Sequence, residues 1–332
     1  MNLSHRINAF RKLGIFCRDL AETKNHSFFQ SIRFENEFFT KESVIQALLS
    51  ISNILIQSKI ERWISSYDLS LITKSKNIGV FLAGNIPLVG FHDFLCVLIL
   101  NHKFIGKLSS KDSILFKYLV DRLLIIEPRF KSKIFFQSNI FSSDIFICTG
   151  NDFTTKYLDF NLKSKPRIIR DNKTSIAILD GKETEQHISL LMKDIFLYFG
   201  LGCRNVSKLY IPRNYDIQSI KKYFLDYSHL LNHVLYFDNY RYHKTIYNLK
   251  NEFFLDFESV LLLESRELFS PISVLYYEYY DQIKDISLDL SKTQCIISRV
   301  NNYNSIFFGE SQKPGLSDYA DNIDTIDFLL KN

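Results

Sequence analysis

No Cys-x-x-Cys pair occurs in the 332 residues, and the five cysteines (Cys17, Cys96, Cys148, Cys203, Cys295) are odd in number and widely spaced. A disulfide framework or a zinc site would need paired or closer spacing, so both are excluded, and reduced thiols in a cytoplasm are expected. Charge of one sign is also lacking. The net charge is only +5, with basic residues interleaved among Asp and Glu, which describes a mixed solvated surface and not a nucleic-acid binder. Long apolar runs are missing too. The longest, around Phe94–Leu100, is too short to cross a bilayer, so no transmembrane segment is expected. The amino terminus, Met-Asn-Leu-Ser-His-Arg, has no apolar core and predicts no signal peptide. His92, His102 and His187 have no metal-ligand spacing to another His or Cys, so no metal site is expected. There is no internal repeat and no low-complexity linker.

What is present is enough apolar material, 46% of 332 residues, for one large domain or two medium ones. Residues 1–75 read as mostly helical: Val44, Leu48, Ile51 and Leu55 recur at three- and four-residue steps, and neither Gly nor Pro interrupts Lys41 to Trp63. Short strands then alternate with helices. Strands are expected at 77–83, 104–108, 133–137 and 144–148, with helices at 88–100, 113–124 and 153–160. A second unit begins near Asn172, with strands at 174–179, 208–211, 233–237, 259–263 and 294–298. Its helices are expected at 183–199, 217–229 and 273–282. Such alternation implies an α/β protein with largely parallel sheets covered on both faces. Ligand sites in such sheets lie at the carboxyl ends of strands, where Asn85, Lys107 and Thr149–Asn151 fall.

Chemistry concentrates at Gly200-Leu-Gly-Cys-Arg-Asn-Val-Ser-Lys208, a polar break between an apolar-periodic segment and a strand-like run. Cys203 is the only cysteine in such a turn. The adjacent Arg204 adds positive charge that would favour a thiolate, the nucleophilic form. Cys96, Cys148 and Cys295 lie in apolar runs and read as inert core thiols. His92, soon after Asn85, reads as a helix-lining histidine, and the aromatic stretch Phe269–Tyr280 as core or as the lining of an acyl pocket. Taken singly the other segments stay ambiguous. Gly84-Asn-Ile-Pro87 is an ordinary strand-to-helix turn, Lys107 with Ser110 and Lys111 a solvated loop, Thr149-Gly-Asn151 one strand end among many, and Glu267 a surface carboxylate.

Together, Phe81-Leu-Ala-Gly-Asn-Ile-Pro-Leu-Val-Gly90, Gly106-Lys-Leu-Ser-Ser-Lys-Asp112, Gly202-Cys-Arg-Asn-Val-Ser-Lys208 and the tail Asp318-Tyr-Ala-Asp…Asp324-Thr resemble the LuxC-type fatty acyl-CoA reductases, a branch of the aldehyde dehydrogenase superfamily. The resemblance covers most of the chain and is weak over residues 1–75. It implies an aldehyde-dehydrogenase-like fold of two αβα units with a helical N-terminal region. Residues 1–172 would form the N-terminal helices and cofactor domain, 173–300 the catalytic domain, and 301–332 a segment returning to the cofactor side.

The implied activity is NADPH-dependent reduction of a fatty acyl thioester to aldehyde through an acyl-Cys203 intermediate. Asn85 matches the Asn-x-Pro amide that donates to the oxyanion, and Lys107 the cofactor-binding lysine. Thr149, Gly150 and Asn151 match the Thr-Gly-Ser phosphate turn, and Glu267 the glutamate that holds the nicotinamide ribose, although Ser270 replaces the usual glycine. Ser110, where NAD-preferring relatives often carry glutamate, is followed by Lys111; with no carboxylate to repel a 2′-phosphate, NADPH is favoured over NADH. The absent GxGxxG fingerprint is normal for this superfamily and argues against an ordinary Rossmann dehydrogenase. Oxidative members place a Glu-Leu-Gly-Gly segment before the cysteine, its glutamate activating water. Here that region reads Pro166-Arg-Ile-Ile-Arg-Asp-Asn-Lys-Thr174 and has no glutamate, so the acyl-enzyme should resist hydrolysis. A fatty acyl-CoA or acyl-protein substrate, an acyl-protein synthetase partner and homo-oligomerisation are implied likewise. The alternatives are a CoA-acylating NAD(P)-dependent aldehyde dehydrogenase and a non-catalytic acyl-carrying subunit.

Overall fold

The computed structural model describes residues 1–23, 25–150, 152–300 and 304–332. The chain divides into two compact units: unit 1 holds residues 1–172 with Pro314–Asn332, and unit 2 holds Lys173–Lys313. The return to unit 1 therefore begins at Pro314, not at residue 301.

Unit 1 opens with four helices, α1 (Leu3–Ala21), α2 (His26–Glu35), α3 (Lys41–Ile54) and α4 (Gln57–Ile64). Asn2, Asn25 and Thr40 cap the first three through side-chain oxygens, which meet orphan N–H groups of the first turn. Strand β1 (Asn77–Phe81), α5 (Phe91–Ile99), β2 (Lys103–Lys107), α6 (Ile114–Ile126), β3 (Ile134–Phe136), β4 (Ile145–Thr149), α7 (Asp152–Asn161) and β5 (Arg167–Arg170) follow. The sheet is wholly parallel, in the order β3-β2-β1-β4-β5. Its central strands are apolar on both faces, as a doubly covered sheet requires. One face packs on α1, α3, α5 and α6 through Phe10, Leu48, Phe94 and Leu119; the other packs on α7 through Phe146 and Leu158. The chain builds outward from β1 to β3 and then crosses back to β4 on the other side of β1. The switch point thus lies between β1 and β4, and ligands of open α/β sheets bind beyond the strand ends at such a point.

Unit 2 contains β6 (Thr174–Ile178), α8 (Glu185–Phe196), β7 (Val206–Pro212), α9 (Lys221–Leu225), α10 (Val234–Leu249), β8 (Phe254–Asp256), β9 (Leu261–Glu264), β10 (Val274–Tyr280) and β11 (Thr293–Ser298). The order is β11-β6-β7-β10-β9-β8, parallel throughout except for the antiparallel β8–β9 pair. Helices α8 and α9 cover one face, where Leu191, Phe224 and Leu209 meet. Helix α10 covers part of the other through Tyr240 and Tyr247. The tail adds α11 (Thr325–Lys331), whose Ile326 and Leu329 enter the unit 1 core.

Several local expectations are corrected. Residues 233–237 are not a strand: His233 caps α10, its side chain accepting from the Tyr236 N–H, and 234–237 form the first turn. Residues 273–282 are not a helix but hold β10. Its run Val-Leu-Tyr-Tyr-Glu-Tyr-Tyr is buried or half-buried throughout, so neither a period of 2 nor one of 3.6 stands out. Residues 217–229 break into two 3-10 turns around the short α9. Helix α8 stops at Phe196, because Tyr198 and Phe199 adopt φ of 54° and 58°, a left-handed geometry that no α-helix continues through. Strands β5 and β8 were not expected; each is short, and β5 carries arginine at both ends.

Among the described residues, no single helix is long and apolar enough to cross a membrane. The bent pair α3–α4 is apolar enough by composition, but Leu48, Ile51, Ile60 and Trp63 lie in the unit 1 core.

Candidate active site

In unit 1, the singled-out positions gather beyond the carboxyl edge of the sheet. Lys107 ends β2 opposite Phe81 of β1, and Thr149 ends β4 beside it. Lys107 is exposed, its Nζ 5.7 Å from the Phe81 ring centroid. Asn85 is exposed in the turn after β1, between buried Gly84 and Pro87. That turn touches the loop after β2: a Cβ on Gly84 would fall 2.5 Å from Ser109 Oγ and 2.7 Å from Ser109 Cβ, so only glycine permits the approach. Asn36 Nδ2 donates to both loops, to Gly84 O at 3.3 Å and Lys111 O at 3.4 Å. Asp112 supports them from below, its Oδ2 accepting the Leu88 N–H at 2.7 Å where Leu88 takes φ 59°. Burial pushes the Asp112 carboxyl well above the usual carboxylate range. Ser110 and Lys111 are exposed on the same loop, and Gly150 directly follows the end of β4. Asn151 lies outside the described residues.

Arg170, at the end of β5 next to Thr149, is buried. Its Nη2 donates to Asp93 Oδ1 at 2.8 Å and its Nη1 to Asp93 Oδ2; Nη2 also reaches Thr325 Oγ1 at 2.9 Å. His92, on α5, places Nε2 3.0 Å from Leu316 O and packs its ring against Tyr319 and Trp63.

In unit 2, Cys203 is partly exposed in a turn between the end of α8 and β7. Asn205 builds that turn. Its Oδ1 accepts the Gly202 N–H at 2.8 Å, while its Nδ2 is shared among the carbonyls of Asp194, Ile195 and Leu197, which end α8. Three consecutive left-handed residues, Tyr198, Phe199 and Gly200, swing the chain from the helix into the turn. The Phe199 ring lies 4.7 Å from that of His233, which anchors the kink. Arg204 also reaches a second cysteine: its Nη1 donates to Cys295 Sγ at 3.2 Å. Cys295 is buried, yet it is no isolated core thiol. Burial, the largest cause in each, pushes Cys17 and Cys148 up to about 12 and Cys96 well above its ordinary value, so these three are unreactive core groups.

Glu267 is exposed just beyond β9 and shares a cavity of about 230 Å³ with Tyr210, Phe269, Ser287 and Lys292. Its loop is tied to the strand that follows the Cys203 turn, since Ser207 Oγ donates to Leu268 O at 2.5 Å. Asn205, Arg170, Asp93, Asp112 and Asn36 were not singled out from sequence. Asn205, Asp112 and Arg170 lay inside segments noted in the sequence without being assigned a role, whereas Asp93 and Asn36 act on partners distant in the chain. Among the described residues, no three His, Cys, Asp or Glu side chains group to hold a metal ion.

The sequence matches no family model and no curated relative. Solved structures do resemble it. Aldehyde dehydrogenase 21 from Physcomitrella patens, in complex with succinate, superposes with a TM-score of 0.71 at 12% identity, covering 100% of this chain and 84% of that one. An aldehyde dehydrogenase from Bacillus cereus in complex with NAD+ gives 0.65 at 11% identity, covering 92% and 73%. Aldehyde dehydrogenase C from Pseudomonas syringae, a mutant with NAD+ and octanal, gives 0.62 at 10% identity, covering 91% and 73%. The chain has the aldehyde dehydrogenase fold.

Proposed function

We propose that this protein reduces acyl thioesters to aldehydes with NADPH, carrying the acyl group on Cys203. One observation carries the reading: of the cysteines, Cys203 alone is partly exposed, in a turn that Asn205 pins between α8 and β7 of this fold. The Cys203 thiolate attacks the thioester carbonyl carbon, a new C–S bond forms, and the CoA sulfur leaves with the old bond's electrons. By the resemblance of Gly84-Asn-Ile-Pro87 to the Asn-x-Pro motif, Asn85 would supply the amide N–H for the oxyanion that develops; losing such a donor typically costs about 10²–10³-fold in rate. When bound, the nicotinamide supplies hydride to the acyl carbon. Cys203 then leaves as thiolate when the aldehyde carbonyl forms.

The residues present in unit 1 fit a dinucleotide. Lys107 offers an exposed cation at a strand end beside the switch point, and Gly84 lets two loops meet there. Lys107, Thr149 and Gly150 would hold its ribose and phosphates, Asn151 completing that motif, and Glu267 the nicotinamide ribose. Ser110 and Lys111 would accept a 2′-phosphate without a carboxylate to repel it. Complexes of two neighbours with NAD+ support a nicotinamide cofactor. The reductive direction is supported by the end of β5, where Arg170 is committed to Asp93 and no glutamate stands to activate water. An acyl-protein synthetase as acyl donor and self-association belong to the same proposal.

Mass spectrometry tests it. Incubation with a long-chain acyl-CoA should add the acyl mass to the Cys203 peptide, and NADPH should remove it with release of aldehyde. A chain that takes no acyl group, or that loses it to water as fast without NADPH, would overturn the reading.

A further inference from the structure

Ser175 lies where both of its neighbouring ladders slip. The β6–β7 register shifts between Ser175 and Ile176, and the β6–β11 register shifts between Thr293 and Ile296. Such irregularities re-aim side chains, and this one frees a hydroxyl for use between strands. Ser175 Oγ donates to Cys203 O at 3.0 Å and accepts the Cys295 N–H at 3.1 Å, so a single hydroxyl spans the two cysteine backbones. From the other side, Arg204 reaches out of the Cys203 turn and donates to Cys295 Sγ at 3.2 Å. The sulfur of Cys295 therefore faces that turn, with the Arg204 guanidinium beside it. Cys295 is fixed in β11 and Asn205 anchors the far end of the turn, whereas Leu201 to Arg204 belong to no helix or strand and can take up the adjustment that a disulfide span of about 4.4–6.8 Å between Cα atoms requires.

We propose that Cys203 and Cys295 form a reversible disulfide in which the partly exposed Cys203 is oxidised first and the buried Cys295 resolves it. The oxidant is a hydroperoxide. The Cys203 thiolate attacks the O–O bond, giving a sulfenic acid and releasing water or an alcohol. The Cys295 thiolate then attacks that sulfur; the S–S bond forms, the S–O bond breaks, and the oxygen leaves as water after protonation. Two thiols lose two electrons and one hydroperoxide gains them. The arrangement is that of an accessible peroxidatic thiol with a resolving thiol held inside. It protects Cys203 from over-oxidation to the sulfinic acid, which dithiothreitol does not reverse.

The inference rests on Cys203 being the reactive thiol, but its test needs no substrate. The full chain is treated with hydrogen peroxide, its remaining thiols are alkylated, and it is digested without reductant. The expected product is a Cys203–Cys295 cross-linked peptide that dithiothreitol dissolves, with acyl-group uptake restored near its untreated level. In Cys295→Ser the same treatment should give Cys203 sulfinate and no recovery. Sulfinate at Cys203 in the wild-type chain without the cross-link, or equal recovery in the variant, would overturn the proposal. If the variant does not fold, the wild-type peptide map decides alone. A chain that cross-links but takes no acyl group would remove the proposed reductase activity and leave this inference standing.

Discussion

Arg170 and Asp93 form a buried two-pronged ion pair that joins the end of β5 to the first turn of α5. Removing one partner strands the other charge away from water, which typically costs about 3–5 kcal/mol, whereas replacing both with apolar side chains is often near neutral. Arg170→Met should therefore lower stability by about that amount, and Arg170→Met with Asp93→Leu should recover most of it. Urea unfolding of the four proteins in the cycle measures both effects.

His102 is buried, with Nδ1 accepting the Lys76 N–H, and burial first, then Lys76, Lys133 and Arg6, lowers it from 6.5 to about 4. The folded chain keeps it neutral while the unfolded chain protonates it. Stability from this group is thus full above pH 6.5 and lost as pH falls from 6.5 to about 4, a loss of about 3 kcal/mol. His102→Asn retains an acceptor and should flatten that part of the stability curve. Denaturation midpoints of both proteins between pH 4 and pH 7 compare the slopes.

Asn205→Ala would leave the Gly202 N–H without this acceptor and three carbonyls at the end of α8 without this donor. With each buried orphan costing about 1–3 kcal/mol, the loss should reach at least about 3 kcal/mol. Acyl transfer to Cys203 should fall further than global stability alone explains. Acylation rates at a temperature where the variant is still folded, set against its melting curve, separate the two.

Gly84→Ala should weaken NADPH binding by pushing the Asn85 turn away from Ser109, and a second change, Ser109→Gly, should restore much of it by removing the clashing Cβ and Oγ. Fluorescence titration of NADPH into the single and double variants reads this directly. Equal binding by all forms would show that the contact between the loops does not shape the cofactor site.

The alternation of short strands and helices was legible because Gly, Pro and Asn punctuate it: Gly84-Asn-Ile-Pro and Thr149-Gly-Asn each mark a strand's carboxyl end. The Cys203 turn stood out for the same reason. Where both faces are largely covered the pattern fails, and Val274–Tyr280, aromatic-rich with a single charged residue, Glu278, reads as well for a helix as for a strand. What holds the candidate site was less visible still. Arg170 and Asp93 are 77 positions apart, and Ser175 and Cys295 are 120 apart. Such pairs leave no periodic trace, because the sheet order brings them together. Arg204 shows the limit most plainly: its charge beside Cys203 was evident, but nothing in the sequence pointed to Cys295, whose Sγ its Nη1 meets.

The return of Pro314–Asn332 to unit 1 also sets an order of assembly during synthesis. Unit 2 is a single unbroken stretch and can emerge and fold complete. Unit 1 must wait, although most of it was made first, because Tyr319, Ile326 and Leu329 belong to its core and Thr325 is a partner of Arg170. Unit 1 is thus completed only after all of unit 2 has been made. A nascent chain stalled before residue 314 would carry a finished unit 2 and a unit 1 whose core still lacks Tyr319, Ile326 and Leu329.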